Sequence, residues 1–389
     1  MITVAVDACG ADLGPREVAA GAGRAATLGI GVLLFGPQKE IGSVAAGVQV
    51  IDAPISIAKA RDPFAAVRST PAASIVQAAR AVADGRAAAL VSGGSTGAAL
   101  AAGLSSLRRD RGIYRPALAL AIPVPGARPV LLLDVGANVI CRPEHLVQFA
   151  HMGSAFARAV MGIGAPRVAL LSNGEEPTKG TPDVITAHEQ LAGPGGTGLN
   201  FIGNIEGTQV IDGGADVVVM DGFTGNITLK LIEGVSTRTL RAIRDAAMTS
   251  PRAKAGGWLL SPAVRELREA IDPEGPGGAY MLGLRQLGVV AHGRFTARGF
   301  ARAIEVAARG VAQDVIGTTR AALQAAGALR PPPDARASGE LSSPSDARAS
   351  GELRSPSDAR ASGELRPLRD GPEDRHLGAS EATATVSNR

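Results

Sequence analysis

Short apolar runs alternate with longer stretches of helical periodicity along most of this chain. This alternation limits the possible fold classes more than any single motif does. It predicts an α/β fold with a doubly wound sheet, in which the ligand site lies beyond the carboxyl ends of the strands. Strands are predicted at residues 3–7, 32–35, 48–52, 88–92, 117–123, 130–134, 167–171, 200–202 and 217–221. Helices are predicted at residues 16–28, 72–83, 96–108, 144–161, 225–248, 262–270 and 297–326.

The alternation stops at Leu329, where a region of low complexity begins. The octapeptide Asp-Ala-Arg-Ala-Ser-Gly-Glu-Leu occurs at residues 334–341, 346–353 and 358–365, so it repeats every 12 residues. Each repeat offers one leucine and no apolar face, unlike the longer units of solenoid proteins. We therefore predict a folded domain at residues 1–329 and a disordered tail at residues 330–389 without a catalytic role.

The composition argues against several classes of function. Hydrophobic residues make up 45% of the chain and allow a large core, whereas aromatic residues make up only 3%, which argues against nucleic-acid binding by base stacking. The two cysteines, Cys9 and Cys141, cannot form a disulfide framework, and no Cys/His spacing resembles a metal site, so no metal or cofactor is expected. The amino terminus lacks a signal-peptide pattern and no apolar run reaches spanning length, which predicts a cytoplasmic protein.

A glycine-rich turn follows the strand predicted at residues 88–92. It reads Ser92-Gly93-Gly94-Ser95-Thr96-Gly97 and passes into an alanine- and leucine-rich helix. The first N–H groups of such a helix have no partner within the helix and point at whatever lies above the turn. Because the glycines allow close approach and the hydroxyl groups add donors, these six residues predict a phosphate site. The alternative is a helix cap with small residues suited to packing.

The same turn also matches the G-x-S-x-G nucleophile elbow of α/β-hydrolases, with Ser95 as the nucleophile. Asp134 or Asp221, followed by His292, would complete a triad in the chain order of that fold. With 50 glycines in 389 residues, a match to so short a pattern arises easily by chance. A serine hydrolase is therefore the main alternative function at this stage.

Four more polar turns contain residues suited to chemistry. They lie at residues 7–15, 133–145, 173–180 and 221–226, and three of them directly follow predicted strands. Each turn alone is more often structural than functional. Together with the glycine-rich turn, they predict five loops that share one cleft.

Four longer segments are more specific than these turns. They read Leu-Leu-Leu-Asp-Val-Gly-Ala-Asn at residues 131–138, Pro-Glu-His-Leu-Val-Gln-Phe-Ala-His-Met-Gly-Ser at 143–154, Asn-Phe-Ile-Gly-Asn-Ile-Glu-Gly at 200–207 and Asp-Val-Val-Val-Met-Asp-Gly-Phe-Thr-Gly-Asn at 216–226. Together they resemble the bacterial acyl-carrier-protein:phosphate acyltransferases of phospholipid synthesis. The resemblance runs from Met1 to about Ala326 and implies a fold like that of isocitrate dehydrogenase and phosphotransacetylase, usually in a homodimer. It also implies that residues 1–329 transfer a fatty acyl group from acyl carrier protein (ACP) to inorganic phosphate, giving acyl phosphate.

The implied chemistry gives each loop a role. Phosphate is already ionised near neutral pH, so the transfer needs a firmly held phosphate and a stabilised oxyanion rather than an activated nucleophile. The expected catalytic residues are Lys179, as a cation near the phosphate, Asn226, as an oxyanion donor, and His292, which protonates the thiolate or orients phosphate. The expected supporting residues are Asp7, Asp134, Asn138 and Asp221. For Lys179, Asn226 and His292, a loop ion pair, a helix cap and a structural histidine are the respective alternatives.

The chain departs from the family's usual motifs at two relevant places. Ser95 stands where the family usually has Asn, and Gly93 where it has Ala, so the G-x-S-x-G match arises partly from these substitutions. That origin weighs against Ser95 as a nucleophile. The late His-Gly-Ser-Ser motif reads His-Gly-Arg-Phe at residues 292–295, so its two serines have no counterpart.

The region between residues 238 and 271 suggests partner surfaces. Its basic residues suit docking of the acidic ACP, although a solvated helix face is the usual explanation; they are Arg238, Arg241, Arg244, Arg252, Lys254, Arg265 and Arg268. An apolar stripe near Trp258–Ile271 suits peripheral contact with the inner face of the plasma membrane, and a dimer interface or core packing explains it equally well. A non-catalytic scaffold that binds ACP or membranes therefore remains a third possible function.

Overall fold

Eleven strands form one continuous sheet in the computed structural model, which describes residues 1–330. The strands are β1 (Thr3–Asp7), β2 (Gly31–Gly36), β3 (Val48–Asp52), β4 (Ala89–Ser92), β5 (Ala117–Ile122), β6 (Val130–Leu133), β7 (Arg167–Leu171), β8 (Asn200–Ile205), β9 (Val217–Val219), β10 (Ala279–Leu282) and β11 (Leu287–Val290). Across the sheet they follow the order β3-β2-β1-β4-β11-β10-β5-β6-β9-β7-β8.

The sheet consists of two parallel halves that run in opposite directions. In one half β3, β2, β1, β4 and β11 are parallel neighbours, and in the other β6, β9, β7 and β8 are. The antiparallel strands β10 and β5 lie between the halves. Because ligand loops follow the carboxyl ends of strands in α/β sheets, the loops of the two halves leave the sheet at opposite edges. One shared cleft therefore requires an element that joins the two halves.

Helices cover both faces of the sheet. They are α1 (Pro15–Ala26), α2 (Gln38–Ile41), α3 (Pro63–Ser69), α4 (Ser74–Ala83), α5 (Thr96–Ala102), α6 (Pro143–Ala159), α7 (Pro182–Ala192), α8 (Gly207–Ile211), α9 (Gly222–Ala247), α10 (Pro251–Ala270), α11 (Ala297–Ala312) and α12 (Val315–Ala325). One face carries α1, α6, α11 and α12, with Phe149 and Phe300 fully buried, and the other carries α4 and α5, with Ile75 in its core. By contrast, α9 buries only Gly222 and Gly225, and α10 buries no residue.

The predicted α/β fold is confirmed, with corrections to individual elements. The bounds of β1, β3 and β7 agree with the sequence prediction, and the other six predicted strands differ only at their ends. The sequence prediction misses β10 and β11, because each has only four residues and no alternation of apolar and polar positions. It also misses α7 and the short helices α2, α3 and α8.

Two predicted helices are interrupted. The helix predicted at residues 96–108 ends at Ala102 and continues as a π-helical turn over Gly103–Leu107. The helix predicted at residues 297–326 divides into α11 and α12 at Asp314, whose φ of 45° is left-handed. The carboxylate of Asp314 accepts a hydrogen bond from the N–H group of Gly317 at 3.1 Å and so caps α12.

The helix predicted at residues 262–270 begins earlier than expected, at Pro251, so Pro262 lies inside α10. A proline within a helix removes the N–H group that would bond to the carbonyl oxygen four residues before it. Here that oxygen belongs to Trp258, and the hydroxyl group of Ser261 donates to it at 2.8 Å. This replacement bond explains why α10 continues through Pro262.

Beyond residue 330, the predicted tail and its 12-residue repeat lie outside the described residues. Among the helices of residues 1–330, none has both the length and the apolar character that crossing a membrane requires.

Candidate active site

A buried carboxylate joins the ends of β1 and β4. The side chain of Asp7 accepts hydrogen bonds from the hydroxyl groups of Ser92 at 2.8 Å and Ser74 at 2.6 Å, and from the N–H group of Cys9 at 3.1 Å. Burial raises the pKa of Asp7 to about 6, although these three hydrogen bonds act in the opposite direction. Asp7 therefore fixes the first residue of the glycine-rich turn from below.

The glycine-rich turn is packed tightly on its inner side. A Cβ atom at Gly93 would overlap the ring of Phe300, and one at Gly94 would lie 3.3 Å from the carbonyl oxygen of Cys9. The N–H group of Gly94 donates to the hydroxyl group of Ser92 at 3.2 Å. Residues 94–97 are partly exposed, so the turn presents its backbone and its outer hydroxyl groups to the space above the sheet.

Ser95 has a structural contact that bears on the hydrolase alternative. Its hydroxyl oxygen accepts a hydrogen bond from the N–H group of Ala98 at 3.2 Å, which makes Ser95 the N-cap of α5. The residues suggested as its triad partners, Asp134, Asp221 and His292, form their hydrogen bonds elsewhere. No triad is assembled around Ser95 within residues 1–330.

A third loop, after β11, lies directly beside this turn. The N–H group of Ala291 donates to the carbonyl oxygen of Ser92 at 2.8 Å, and the N–H group of Asp12 donates to that of Gly293 at 2.8 Å. A Cβ atom at Gly293 would lie 3.4 Å from the carbonyl oxygen of Gly93. The loops that follow β1, β4 and β11 therefore meet, as expected for neighbouring parallel strands.

His292 in this third loop contacts charged residues of α9. Its Nδ1 atom accepts a hydrogen bond from the N–H group of Arg294 at 3.1 Å, and its Nε2 atom lies 3.1 Å from Nζ of Lys230. Lys230 also bonds to the carboxylate of Glu233 at 2.9 Å. Burial, and next the positive charge of Lys230, lower the pKa of His292, so the neutral ring is favoured at pH 7.

On the opposite half of the sheet, the loop after β6 is organised by one carboxylate. Asp134 is fully buried and accepts hydrogen bonds from the N–H groups of Leu118, Gly136, Ala137 and Asn138 at 2.8–3.1 Å. The side-chain amide of Asn138 donates to it as well, at 2.8 Å. Burial raises the pKa of Asp134, and these hydrogen bonds oppose the rise by stabilising the carboxylate.

The long helix α9 begins against this loop. Asp221 caps the helix by accepting from the N–H group of Thr224 at 2.8 Å, and the N–H group of Gly222 donates to the carbonyl oxygen of Asn138 at 2.7 Å. A Cβ atom at Gly225 would overlap the carbonyl oxygen of Asp134. Only glycine allows the helix to approach the loop this closely, which explains why the two buried positions of α9 are glycines.

The first turns of α9 connect the two halves. The side-chain amide of Asn226 donates to the carbonyl oxygen of Val135 at 3.3 Å, on the side of the loop after β6. Lys230 follows four residues later on the same face of the helix, about 6 Å along its axis, and contacts His292. This helix thus places residues from both halves in one site, although their strands end at opposite edges of the sheet.

Sequence reasoning identified Asn226 and His292 but assigned no role to Lys230 or Glu233. The available signal was the four-residue spacing from Asn226 to Lys230, which places both on one helix face. Nothing in the sequence indicates that this face meets His292, since that contact depends on the order of the strands.

Lys179 lies apart from these contacts. It is exposed in the loop after β7, where its N–H group bonds to the carbonyl oxygen of Glu176 at 3.0 Å. The side-chain amide of Asn204 holds the same loop through the carbonyl oxygen of Glu176 at 2.9 Å. Within residues 1–330, the side chain of Lys179 bonds to none of the other candidate residues, and its loop leaves the sheet at the same edge as those that carry Asp134 and Asp221.

Comparison of the sequence with known proteins shows which family the chain belongs to. The family described as "Fatty acid synthesis protein" matches residues 2–318. A phosphate acyltransferase of Pelotomaculum thermopropionicum is 40% identical over 328 residues, which cover 82% of this chain and 95% of that protein. The chain belongs to the phosphate acyltransferase family. A phosphate acyltransferase of Moorella thermoacetica is 42% identical over 320 residues and confirms this, with coverage of 80% of this chain and 93% of the relative.

Solved structures support the fold of this phosphate acyltransferase family member. A phosphotransacetylase from Staphylococcus aureus matches with a TM-score of 0.52 and 16% identity, covering 80% of this chain and 94% of that one. A phosphotransacetylase from Streptococcus pyogenes matches with a TM-score of 0.51 and 17% identity, again over 80% and 94% of the two chains. The predicted likeness to the phosphotransacetylase fold and the predicted acyltransferase activity class are confirmed, and the serine hydrolase is not supported.

Proposed function

We propose that this chain transfers a fatty acyl group from acyl-ACP to inorganic phosphate and releases acyl phosphate and free ACP. Membership in the phosphate acyltransferase family is the observation that carries the proposal. The site supports it, because the loop after β11 packs against the glycine-rich turn and brings His292 to Lys230 of α9, so hydrogen-bond donors from three elements lie near one another. Such donors suit a reaction in which an anion attacks and an oxyanion forms.

The reaction joins a phosphate oxygen to the thioester carbon. A phosphate oxygen attacks that carbon, and the carbonyl oxygen takes up negative charge in the tetrahedral intermediate. When the intermediate collapses, the C–S bond breaks, the electron pair leaves with sulfur, and the thiolate takes up one proton. A thiol with a pKa of about 8.5 binds that proton readily at neutral pH, so the protein's main task is to hold phosphate and stabilise the oxyanion.

Each candidate residue has a place in this scheme. Ser92, Gly93, Gly94, Ser95, Thr96 and Gly97 form the phosphate cradle, with Asp7 below it. Asn226 is the proposed oxyanion donor, and its amide is held next to the loop organised by Asp134. The neutral ring favoured for His292 supports an orienting role toward phosphate over that of a proton donor. Lys179 is proposed to reach the acyl group or phosphate when substrate is bound.

The two exposed helices are the proposed docking surface for ACP. The basic residues noted above all lie on α9 and α10 and none lies in the short link between these helices. An acidic partner would therefore meet a positive surface there. Asn226 and Lys230 lie in the first turns of α9, whereas the basic residues of α9 noted above lie in its last turns. A docked carrier would therefore reach the site from the carboxyl-terminal part of the helix.

Exposed apolar residues on the same helices suit two further contacts. On α9, Ile227, Leu231 and Val235 recur every four residues and are 44–63% exposed, as expected for an interface with a second copy in a homodimer. On α10, Trp258, Leu259 and Leu260 are 61–76% exposed, which suits peripheral contact with a membrane. Both cysteines are free and buried, in keeping with the proposed cytoplasmic location at the inner face of the plasma membrane.

The decisive experiment incubates the purified protein with a long-chain acyl-ACP, with and without inorganic phosphate, and traps the product with hydroxylamine. We expect acyl hydroxamate and released ACP only when phosphate and protein are both present. Enzyme-free samples control for direct attack of hydroxylamine on the thioester, and intact-mass measurement follows ACP. Release of free fatty acid without phosphate would favour the hydrolase, and no turnover would favour the scaffold.

A further inference from the structure

The hydrogen bonds around His292 assign its protons. The N–H group of Arg294 can only donate, so Nδ1 of His292, at 3.1 Å, must be an acceptor without a proton. In the neutral ring the proton is therefore on Nε2. Yet Nε2 lies 3.1 Å from Nζ of Lys230, an ammonium group that has three donors and no acceptor.

Two donors that face each other require an acceptor beside them. The nearest one is Oε2 of Glu233, which lies 2.9 Å from Nζ of Lys230 but 3.9 Å from Nε2 of His292. That distance is too long for a hydrogen bond to the ring. Within residues 1–330, the Nε2–H group of His292 thus has no acceptor within hydrogen-bond distance, while the carboxylate 3.9 Å away bonds to Lys230.

The position of this donor pair indicates which anion it would bind. The loop that carries His292 packs against the glycine-rich turn, where a Cβ atom at Gly293 would lie 3.4 Å from the carbonyl oxygen of Gly93. Lys230 lies one helical turn from Asn226, the proposed oxyanion donor. An anion bound by Lys230 and His292 would therefore lie between the phosphate cradle and the reacting carbonyl group.

We propose that Lys230 and His292 bind the phosphate group of the substrate, and that Glu233 occupies this anion site in the free protein until phosphate displaces it. The proposal rests on the proposed function, because acyl transfer supplies phosphate as the anion. It adds two residues, Lys230 and Glu233, to the site and makes Glu233 a competitor of the substrate.

Two substitutions separate these roles. Lys230→Met keeps most of the length of the side chain but removes its charge, and we expect it to raise KM for inorganic phosphate about tenfold, as loss of a charged hydrogen bond does. KM for acyl-ACP should hardly change. Glu233→Gln removes the competing charge, and KM for phosphate should fall several-fold. Lys39→Met and Glu189→Gln, at exposed positions on α2 and α7, are matched controls and should leave both constants unchanged.

A binding measurement without turnover uses the C2–H signal of His292, assigned by its loss in His292→Gln. The charged groups that face the ring are Lys230, Glu233, Arg294 and Asp12. Inorganic phosphate should raise the pKa of His292 in the unaltered protein, because the anion stabilises the charged ring. In Lys230→Met the pKa should start higher, since the neighbouring ammonium group is gone, and phosphate should move it less.

The proposal is overturned if Lys230→Met leaves KM for phosphate unchanged, or if phosphate does not move the His292 signal of the folded, unaltered protein. Circular dichroism identifies a variant that fails to fold, and in that case Lys230→Arg, which keeps the charge, must retain phosphate binding. If no acyl phosphate forms with the unaltered protein, the proposed function fails, whereas the titration of His292 with inorganic phosphate still decides on the anion site.

Discussion

The hydroxyl group of Ser92 donates a hydrogen bond to the carboxylate of Asp7 across 2.8 Å and ties the end of β4 to the end of β1. Asp7 is 3% exposed, and its burial raises its pKa from 3.8 to about 6. The glycine-rich turn therefore rests on a carboxyl group whose charge changes near pH 6.

Asp7→Asn should remove a pH-dependent loss of stability. Between pH 4 and pH 6 the unfolded chain releases the proton of Asp7 before the folded protein does, so the free energy of unfolding falls as pH rises through this window. Relative to Asp7→Asn, the free energy of unfolding of the unaltered protein should fall by about 3 kcal/mol between pH 4 and pH 6 and should not fall further above pH 6. Urea unfolding from pH 4 to pH 7 measures this, and a difference between the two proteins that is independent of pH would contradict it.

Gly225→Ala should displace α9. The added Cβ atom would overlap the carbonyl oxygen of Asp134, and overpacking of this kind costs about 1–3 kcal/mol. We expect a lower melting temperature together with a loss of acyl phosphate formation, because Asn226 and Lys230 move with the helix. Gly234→Ala is the matched control: no atom lies near its Cβ position, and the better helix propensity of alanine should stabilise the protein by up to about 1 kcal/mol.

Ser95→Ala distinguishes an acyltransferase from a hydrolase that uses this serine. Loss of the N-cap of α5 should cost about 1 kcal/mol of stability. Loss of a cradle hydroxyl group should raise KM for phosphate, whereas phosphate-dependent turnover should persist, because no acyl group is carried by Ser95. A fluorophosphonate probe should label neither protein. Labelling of the unaltered protein that disappears in Ser95→Ala would count against the transferase.

Asn226→Ala should lower kcat about 10²-fold or more, as loss of one oxyanion donor does in other enzymes. Asn200→Ala is a suitable control, because the amide of Asn200 also donates to a backbone oxygen, that of Ala165 at 3.3 Å, but Asn200 belongs to β8 and not to the candidate site. Steady-state kinetics with acyl-ACP compares them. Equal activity of both variants would show that Asn226 only anchors the helix.

Lys179→Met tests whether the exposed loop after β7 takes part in the reaction. If its ammonium group reaches the substrate, kcat/KM should fall by at least about tenfold through loss of a charged contact. Lys39→Met, also an exposed lysine, should have no effect. If the kinetics of Lys179→Met equal those of the unaltered protein, Lys179 takes no part in the reaction.

The sequence places polar residues of the candidate site at the ends of single strands, and the structure has them there. Asp7, Ser92 and Asp134 stand at the ends of short apolar runs, and parallel strands of an α/β sheet carry their functional groups there. The prediction of one cleft for all five loops was less complete. It placed Lys179 with the others, whereas within residues 1–330 the side chain of Lys179 forms no hydrogen bond or ion pair with another candidate residue.

The contact between Lys230 and His292 could not be predicted from the sequence, because the residues are 62 positions apart and belong to opposite halves of the sheet. It exists because β10 and β5 reverse the direction of the second half and because α9 starts against the loop of Asp134. By itself, the sequence determined the α/β fold, the approximate positions of nine of the eleven strands and the family, since these depend on local periodicity and on motifs. Only the tertiary structure decided which loops meet, because strand order and glycine-mediated packing of α9 involve residues that no local pattern connects.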